Sequence, residues 1–99
     1  MTPNLELLKI EFREFCASHL VLRQIDDVFS SAGFTPATLD SYPGGQRRSL
    51  VEKYYASGDW ESLETVRRFL KVIECVLLLS FLAEEKKDRL RSFCNNAGF

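Results

Sequence analysis

Residues 60–83 carry an apolar pattern with helical spacing, and this pattern restricts the possible folds more than any other part of the chain does. Its first apolar positions recur every three or four residues, as on one face of an α-helix: Leu63, Val66, Leu70, Ile73 and Leu77. From residue 76 onward the apolar positions widen until they nearly circle the predicted helix. Because a helix that is apolar all round must be covered on every side, it lies either at the centre of a bundle or against a partner.

Four shorter helical patterns occupy the rest of the chain, over approximately residues 3–18, 20–32, 46–56 and 84–97. Thr2 is a suitable cap for the first of them, and residues 35–45, rich in Pro and Gly, read as a connection. No segment alternates apolar and polar residues for long enough to predict a strand. The sequence therefore predicts an all-α fold, a compact bundle of about five helices with residues 60–83 as its long central helix.

Two of these helices end in the same tripeptide, Ala32-Gly33-Phe34 and Ala97-Gly98-Phe99. Glycine takes the left-handed position after a helix, and the following Phe can then pack back onto the last turn, as in a Schellman motif. Such a cap normally leads onward into more chain. We therefore expect residues 1–99 to be a single helical domain at the N-terminus of a longer protein, with an intact small adaptor as the alternative.

Charge and cysteine content argue against several classes of function. Thirteen basic and fourteen acidic residues give a net charge of −1, which is unlike a domain that binds nucleic-acid phosphates. The three cysteines are widely spaced, so a zinc site would need Cys16, His19, Cys75 and Cys94 to converge. We expect reduced thiols, no metal and no cofactor.

The sequence also predicts a cytoplasmic protein. Charged residues near the N-terminus interrupt any signal-peptide core, as Glu6, Lys9 and Glu11 show. The most apolar stretch contains Lys71 and Glu74 and is shorter than the roughly 20 apolar residues that a membrane span requires.

Glu74 interrupts the most apolar part of the chain. A carboxylate in such a place is costly unless it is paired. We expect a structural ion pair between Glu74 and Arg47, Arg48 or an arginine of its own helix, which would fix the register of that helix.

Three weaker patterns suggest other chemistry. Arg13 and His19 fit the R-x(4–6)-H spacing of HEPN-type ribonucleases, in which the histidine is the acid or base and the arginine stabilises the phosphoryl transition state. The Gly44-Gly45-Gln46 tripeptide matches that of peptide-release factors but reads better as a glycine turn. A helix-turn-helix reader using the third or fourth helix is a further alternative, although its basic residues are well interleaved with acids.

One stretch resembles a known family. Residues 45–56, Gly45-Gln46-Arg47-Arg48 through Tyr54-Tyr55-Ala56, precede Asp59-Trp60 and a helix with a central Glu74. This arrangement resembles the helical N-terminal segment of bacterial abortive-infection proteins, which carry a G-x-R-R-x-x-V-x-x-Y-x-A-x-x-D-W-type pattern. The resemblance implies a non-catalytic domain of an anti-phage defence protein, loosely similar in type to death-like effector-associated adaptor domains, which self-associate or recruit a partner. It carries no active-site residues onto this chain.

The residues themselves favour the same function, a protein–protein interaction or self-association domain without catalytic activity. The apolar excess at the end of the fourth helix predicts the contact residues Leu78, Leu79, Phe81 and Leu82. The basic residues predicted to orient a protein partner, or a second copy, are Arg47, Arg48, Arg67 and Arg68.

Overall fold

The computed structural model describes residues 3–38 and 44–99, and within these ranges the chain forms five α-helices and no strand. The predicted all-α bundle is therefore confirmed. The helices are α1 (Leu5–His19), α2 (Leu22–Ser31), α3 (Gln46–Ala56), α4 (Leu63–Leu77) and α5 (Glu84–Asn96).

The starts of α1 and α3 are set by their capping residues. The side-chain carbonyl of Asn4 accepts a hydrogen bond from the Leu7 N–H at 3.0 Å, so Asn4 caps α1, while Thr2 lies outside the described residues. Gly44 and Gly45 have φ angles of 118° and 98°, a region that favours glycine, and Gln46 is the first residue of α3. The Gly-Gly-Gln tripeptide thus serves as a helix start.

The two Ala-Gly-Phe endings adopt the predicted geometry. The N–H of Phe34 donates to the carbonyl of Phe29 at 3.1 Å, and Gly33 is left-handed with φ 91°. The rings of Phe29 and Phe34 then meet edge to face with centroids 5.6 Å apart. At the second ending the N–H of Phe99 donates to the carbonyl of Cys94 at 2.8 Å, again after a left-handed glycine.

α1, α2 and α3 each pack against two other helices, whereas α4 and α5 each pack mainly against one. α1 packs against α3 and α5, and α2 packs against α3 and α4. The prediction of one long central helix over residues 60–83 is wrong in length, and α4 packs mainly against one other helix, α2. α4 begins at Leu63 and ends at Leu77.

α4 ends early because the residues after it turn back towards the core. The N–H of Leu79 donates to Val76 and that of Leu82 donates to Leu79, each spanning only three residues. This turn lets Leu82 become buried and Leu79 pack partly against the core. On a straight continuation of α4, Leu82 would point about 120° away from the buried Val76, taking 100° per residue.

An aromatic cluster joins four of the helices. Phe69 of α4 meets Phe12 of α1, Tyr55 of α3 and Trp60 edge to face, with ring centroids 5.3–5.7 Å apart. Phe29 of α2 lies 6.0 Å from Phe12 and 6.1 Å from Tyr55. These contacts place one side of α4 firmly on the core.

The polar atoms of these aromatic residues all find partners. The Tyr55 hydroxyl donates to the carbonyl of Lys9 at 2.7 Å, and the Trp60 indole N–H donates to the carbonyl of Tyr55 at 2.6 Å. The Lys9 ammonium lies 4.3 Å from the centre of the Trp60 ring. The Tyr54 hydroxyl donates to Asp26 at 2.7 Å. The cluster is therefore held by directional bonds as well as by apolar contact.

We predict that Phe69→Ala lowers the free energy of unfolding by about 3–5 kcal/mol, because it removes a fully buried ring and leaves a cavity. The matched control is Phe81→Ala, which removes the same ring from a position that is 56% exposed and should change stability by less than about 0.5 kcal/mol. Urea unfolding followed by circular dichroism measures both. Equal losses for the two variants would contradict the described core.

Candidate functional site

The strongest candidate for a binding site is the side of α4 that faces away from the core. Five residues on this side are exposed, and we call this surface the α4 outer face: Leu63, Arg67, Lys71, Glu74 and Leu78. Its two leucines, one at each end of the helix, are 63% and 75% exposed. Leu70 and Leu77 lie half-buried and pack against the core. The surface therefore combines large apolar ends with a charged middle.

The apolar residues predicted to contact a partner divide into two pairs. Leu78 and Phe81 are exposed, Phe81 by 56%, which agrees with a role at the surface. Leu82 is only 6% exposed, so the prediction that it faces a partner is wrong, whereas Leu79 is half-buried and packs partly against the core. The turn after α4 is the reason, since it directs them to the core.

The inward side of α4 also differs from the predicted one. The buried residues are Phe69, Val72, Ile73 and Val76, whereas Leu63 is exposed. Both sets have helical spacing, but the buried set is rotated by about 100° from the predicted stripe, taking 100° per residue. Sequence reasoning therefore missed Leu63 as a surface residue.

Glu74 is exposed rather than buried, so the expected costly carboxylate in an apolar setting is not found. Its partner is Lys71, one turn earlier on the same helix, at 3.7 Å. The prediction of a pair with Arg47, Arg48 or a same-helix arginine is thus wrong. Glu74 lies on the outer side because the buried residues on either side of it, Ile73 and Val76, fix the orientation of the helix.

Two of the four predicted orienting arginines are used inside the molecule. Arg48 donates two parallel hydrogen bonds to Glu14 of α1, from Nη2 to Oε1 at 2.8 Å and from Nε to Oε2 at 2.9 Å. Its Nη1 also donates to the carbonyl of Gly44. Arg47 donates to the carbonyl of Ala17 at 2.9 Å. These residues attach the start of α3 to α1.

Arg13 completes this network. Its Nη1 lies 2.9 Å from the Glu52 carboxylate of α3, and its Nε lies 3.0 Å from Glu14. We call the four residues Arg13, Glu14, Arg48 and Glu52 the α1–α3 clamp. The hydrogen bonds from Arg48, followed by those from Arg13, lower the pKa of Glu14 from 4.5 to about 2 even though burial opposes this change.

The other two predicted arginines lie on α4. Arg68 pairs with Glu64, one turn before it, at 2.8 Å, while both side chains remain at least half exposed. Such an exposed pair adds little to stability. Arg67 is exposed on the α4 outer face.

Arg13 and His19 have separate surroundings. Arg13 is held by two carboxylates of the clamp, whereas the ring of His19 packs on Phe15 with centroids 4.7 Å apart. Burial, then the charges of Lys86 and Arg89, lower the pKa of His19, so the imidazole is neutral at pH 7. Six residues along a helix turn two side chains about 120° apart. Arg13 therefore faces Glu52 of α3, while His19 lies beside Phe15 on another side of α1.

The cysteines do not converge. Cys16 is buried among apolar residues, which raises the pKa of its thiol, while Cys75 and Cys94 are half-buried, and all three are free. Across residues 3–38 and 44–99, no group of three His, Cys, Asp or Glu side chains is placed to hold a metal ion. None of the helices in that part of the chain is long and apolar enough to cross a membrane.

Comparisons with protein families, with curated proteins and with solved structures return no match for this chain.

We predict that the clamp makes stability fall in acid. The folded pKa of Glu14 lies below its ordinary value of 4.5, so its contribution is present above that pH and is lost as pH falls towards about 2. Because 42% of the Glu14 side chain is exposed, water screens the clamp and we expect a loss of about 1 kcal/mol. Urea unfolding at pH 7 and pH 2.5 should show this loss in the wild type and not in Glu14→Gln.

Glu85→Gln is the matched control, because it removes an exposed carboxyl group of α5 outside the clamp. It should keep the full pH dependence of the wild type. If Glu14→Gln kept it as well, the clamp would not be the source.

Proposed function

We propose that this chain is a non-catalytic protein–protein interaction domain of a bacterial anti-phage defence protein, and that it binds through the α4 outer face and the adjoining Phe81. The observation that carries this proposal is the exposure of Leu63, Leu78 and Phe81, each by more than half, on or directly after one helix. Leu78 and Phe81 lie three residues apart at one end of this surface, and exposed apolar groups that lie close together mark interaction sites more often than isolated ones do.

The energetics of this surface suit binding. Burying a leucine or phenylalanine side chain contributes about 1.5–3 kcal/mol, so covering Leu78 and Phe81 supplies a useful driving force. The charged residues between the two leucines, Arg67, Lys71 and Glu74, carry both signs. Charges at such a place contribute orientation and partner selection more than affinity.

The hydrogen bonds and ion pairs that three arginines make within the molecule support a non-catalytic role. Arg13 and Arg48 are committed to carboxylates within the clamp, and Arg47 to a backbone carbonyl. An arginine whose charge is already neutralised by two carboxylates is poorly suited to stabilise a phosphoryl transition state. The same commitment weighs against α3 as a phosphate-binding helix.

The biological setting is supported by the resemblance of residues 45–77 to abortive-infection proteins. Within that stretch the structure gives the resembling residues packing roles, since Arg48 joins α3 to α1 while Tyr55 and Trp60 belong to the aromatic cluster. We propose a cytoplasmic location, for which the three free thiols are typical.

We predict that Leu78→Ser combined with Phe81→Ser abolishes partner binding while leaving the fold intact, since both side chains are exposed. Tagged wild-type and variant chains would be expressed in bacteria and captured, and bound proteins would be compared together with the sedimentation coefficient of the purified chain. Circular dichroism checks the fold.

Ile10→Ser combined with Val21→Ser is the matched control, because each of these apolar residues is 49% exposed but lies on another part of the molecule. It should bind as the wild type does. The proposed function fails if the wild type captures nothing and stays monomeric, or if the control and the α4 variant lose binding equally.

A further inference from the structure

We infer that the partner is a second copy of this chain, bound by antiparallel pairing of the two α4 outer faces about a twofold axis between residues 70 and 71. This inference rests on the proposed function and gives it a partner and a geometry.

The residues of the α4 outer face are arranged symmetrically in sequence. Leu63 and Leu78 lie equally far from the point between residues 70 and 71, and so do Arg67 and Glu74. An antiparallel twofold brings each residue opposite its counterpart across this point, as in any self-complementary interface. Leu63 then meets Leu78 of the second copy, and Arg67 meets Glu74, each contact occurring twice.

These residues also share one side of the helix. With 100° per residue, Leu63, Arg67, Glu74 and Leu78 fall within an arc of about 60°. Leu78 still follows the helical path, because its N–H donates to the carbonyl of Glu74 at 3.2 Å. The rise of about 1.5 Å per residue makes the strip about 23 Å long. Four groups therefore form one straight, exposed strip opposite the buried face.

The charges select the antiparallel direction. In a parallel pair, Arg67 would face Arg67 and Glu74 would face Glu74, and like charges in contact are unfavourable. In the antiparallel pair, each Glu74 carboxylate lies between Arg67 of the second copy and Lys71 of its own helix, with which it already pairs at 3.7 Å. Lys71 lies at the edge of the arc, where its side chain reaches water.

The size of the strip sets the strength of the dimer. A single pair of helices about 23 Å long buries less than the roughly 800 Å² per partner of a standard stable interface. The dimer is therefore weak, with a dissociation constant on the order of 0.1–1 mM for this chain alone. Weak pairing suits a domain whose assembly responds to local concentration.

Charge-reversal variants test the pairing, with self-association measured by sedimentation equilibrium up to about 1 mM protein. Arg67→Glu alone places like charges opposite each other twice, and so does Glu74→Arg alone, so each should weaken self-association about tenfold or more. An equimolar mixture of the two single variants should associate at least as well as the wild type, because both cross-pairs then have opposite signs. The double variant, Arg67→Glu with Glu74→Arg, should regain the self-association of the wild type for the same reason.

Arg23→Glu and Glu85→Arg are the matched controls, since they make the same changes at exposed positions away from α4. Each should leave the dissociation constant unchanged. A wild type that stays monomeric at 1 mM overturns the inference, and so does a mixture of single variants that fails to associate.

Cross-linking tests whether the two α4 helices are antiparallel. The background carries Cys75→Ser and Cys94→Ser, and the reagent is a bismaleimide that spans about 10 Å, the distance between packed helices. Leu63→Cys mixed with Leu78→Cys should give a joined pair. Leu78→Cys alone should not, because its two copies would lie about 25 Å apart in the antiparallel dimer. Efficient 78–78 joining would overturn the antiparallel arrangement.

The outcomes also separate the inference from the proposed function. If the wild type is monomeric yet captures another protein that the Leu78→Ser, Phe81→Ser variant does not, the second-copy inference fails and the proposed function stands. If neither self-association nor capture depends on α4, both fail.

Discussion

Phe69 is the residue on which the arrangement of α4 depends. Its ring meets Phe12, Tyr55 and Trp60 at centroid distances of 5.3–5.7 Å, so it is surrounded from three other parts of the chain. A fully buried ring with edge-to-face neighbours cannot rotate away without losing these contacts and opening a cavity. Because successive residues of a helix advance by a fixed angle, fixing Phe69 also fixes which residues face outward. The α4 outer face is thus a consequence of the aromatic core.

The α1–α3 clamp explains why the basic residues of this chain do not behave as one surface. Arg48 and Arg13 are joined to Glu14 and Glu52 across α1 and α3, where two-point contacts to carboxylates are strong and directional. Arg67, by contrast, is not part of the clamp and is exposed on α4. The basic residues of this chain therefore have different roles. Arg13 and Arg48 hold α1 and α3 together, whereas Arg67 is available to a partner.

The sequence allowed the helices and their caps to be predicted, because helical spacing, glycine after a helix and the Ala-Gly-Phe repeat are local signals. It did not allow the buried side of α4 to be chosen, since Leu63, Val66 and Leu70 have the same spacing as Phe69, Val72 and Val76. Only the rings supplied by other helices decide between these sets. The Arg48–Glu14 contact joins residues 34 positions apart, and Leu82 became buried through a turn, so neither could be read from local pattern.

The account depends above all on two copies of this domain associating through the α4 outer face, which a dilution series of ¹⁵N-labelled protein followed by NMR can test. Concentration-dependent shifts of backbone amides should be confined to α4 and the adjoining residues up to Phe81. The amides around Glu14 and Glu52 in the clamp should remain unchanged. Shifts centred on another part of the molecule, or none over the range up to about 1 mM in which so small an interface associates, would contradict the account.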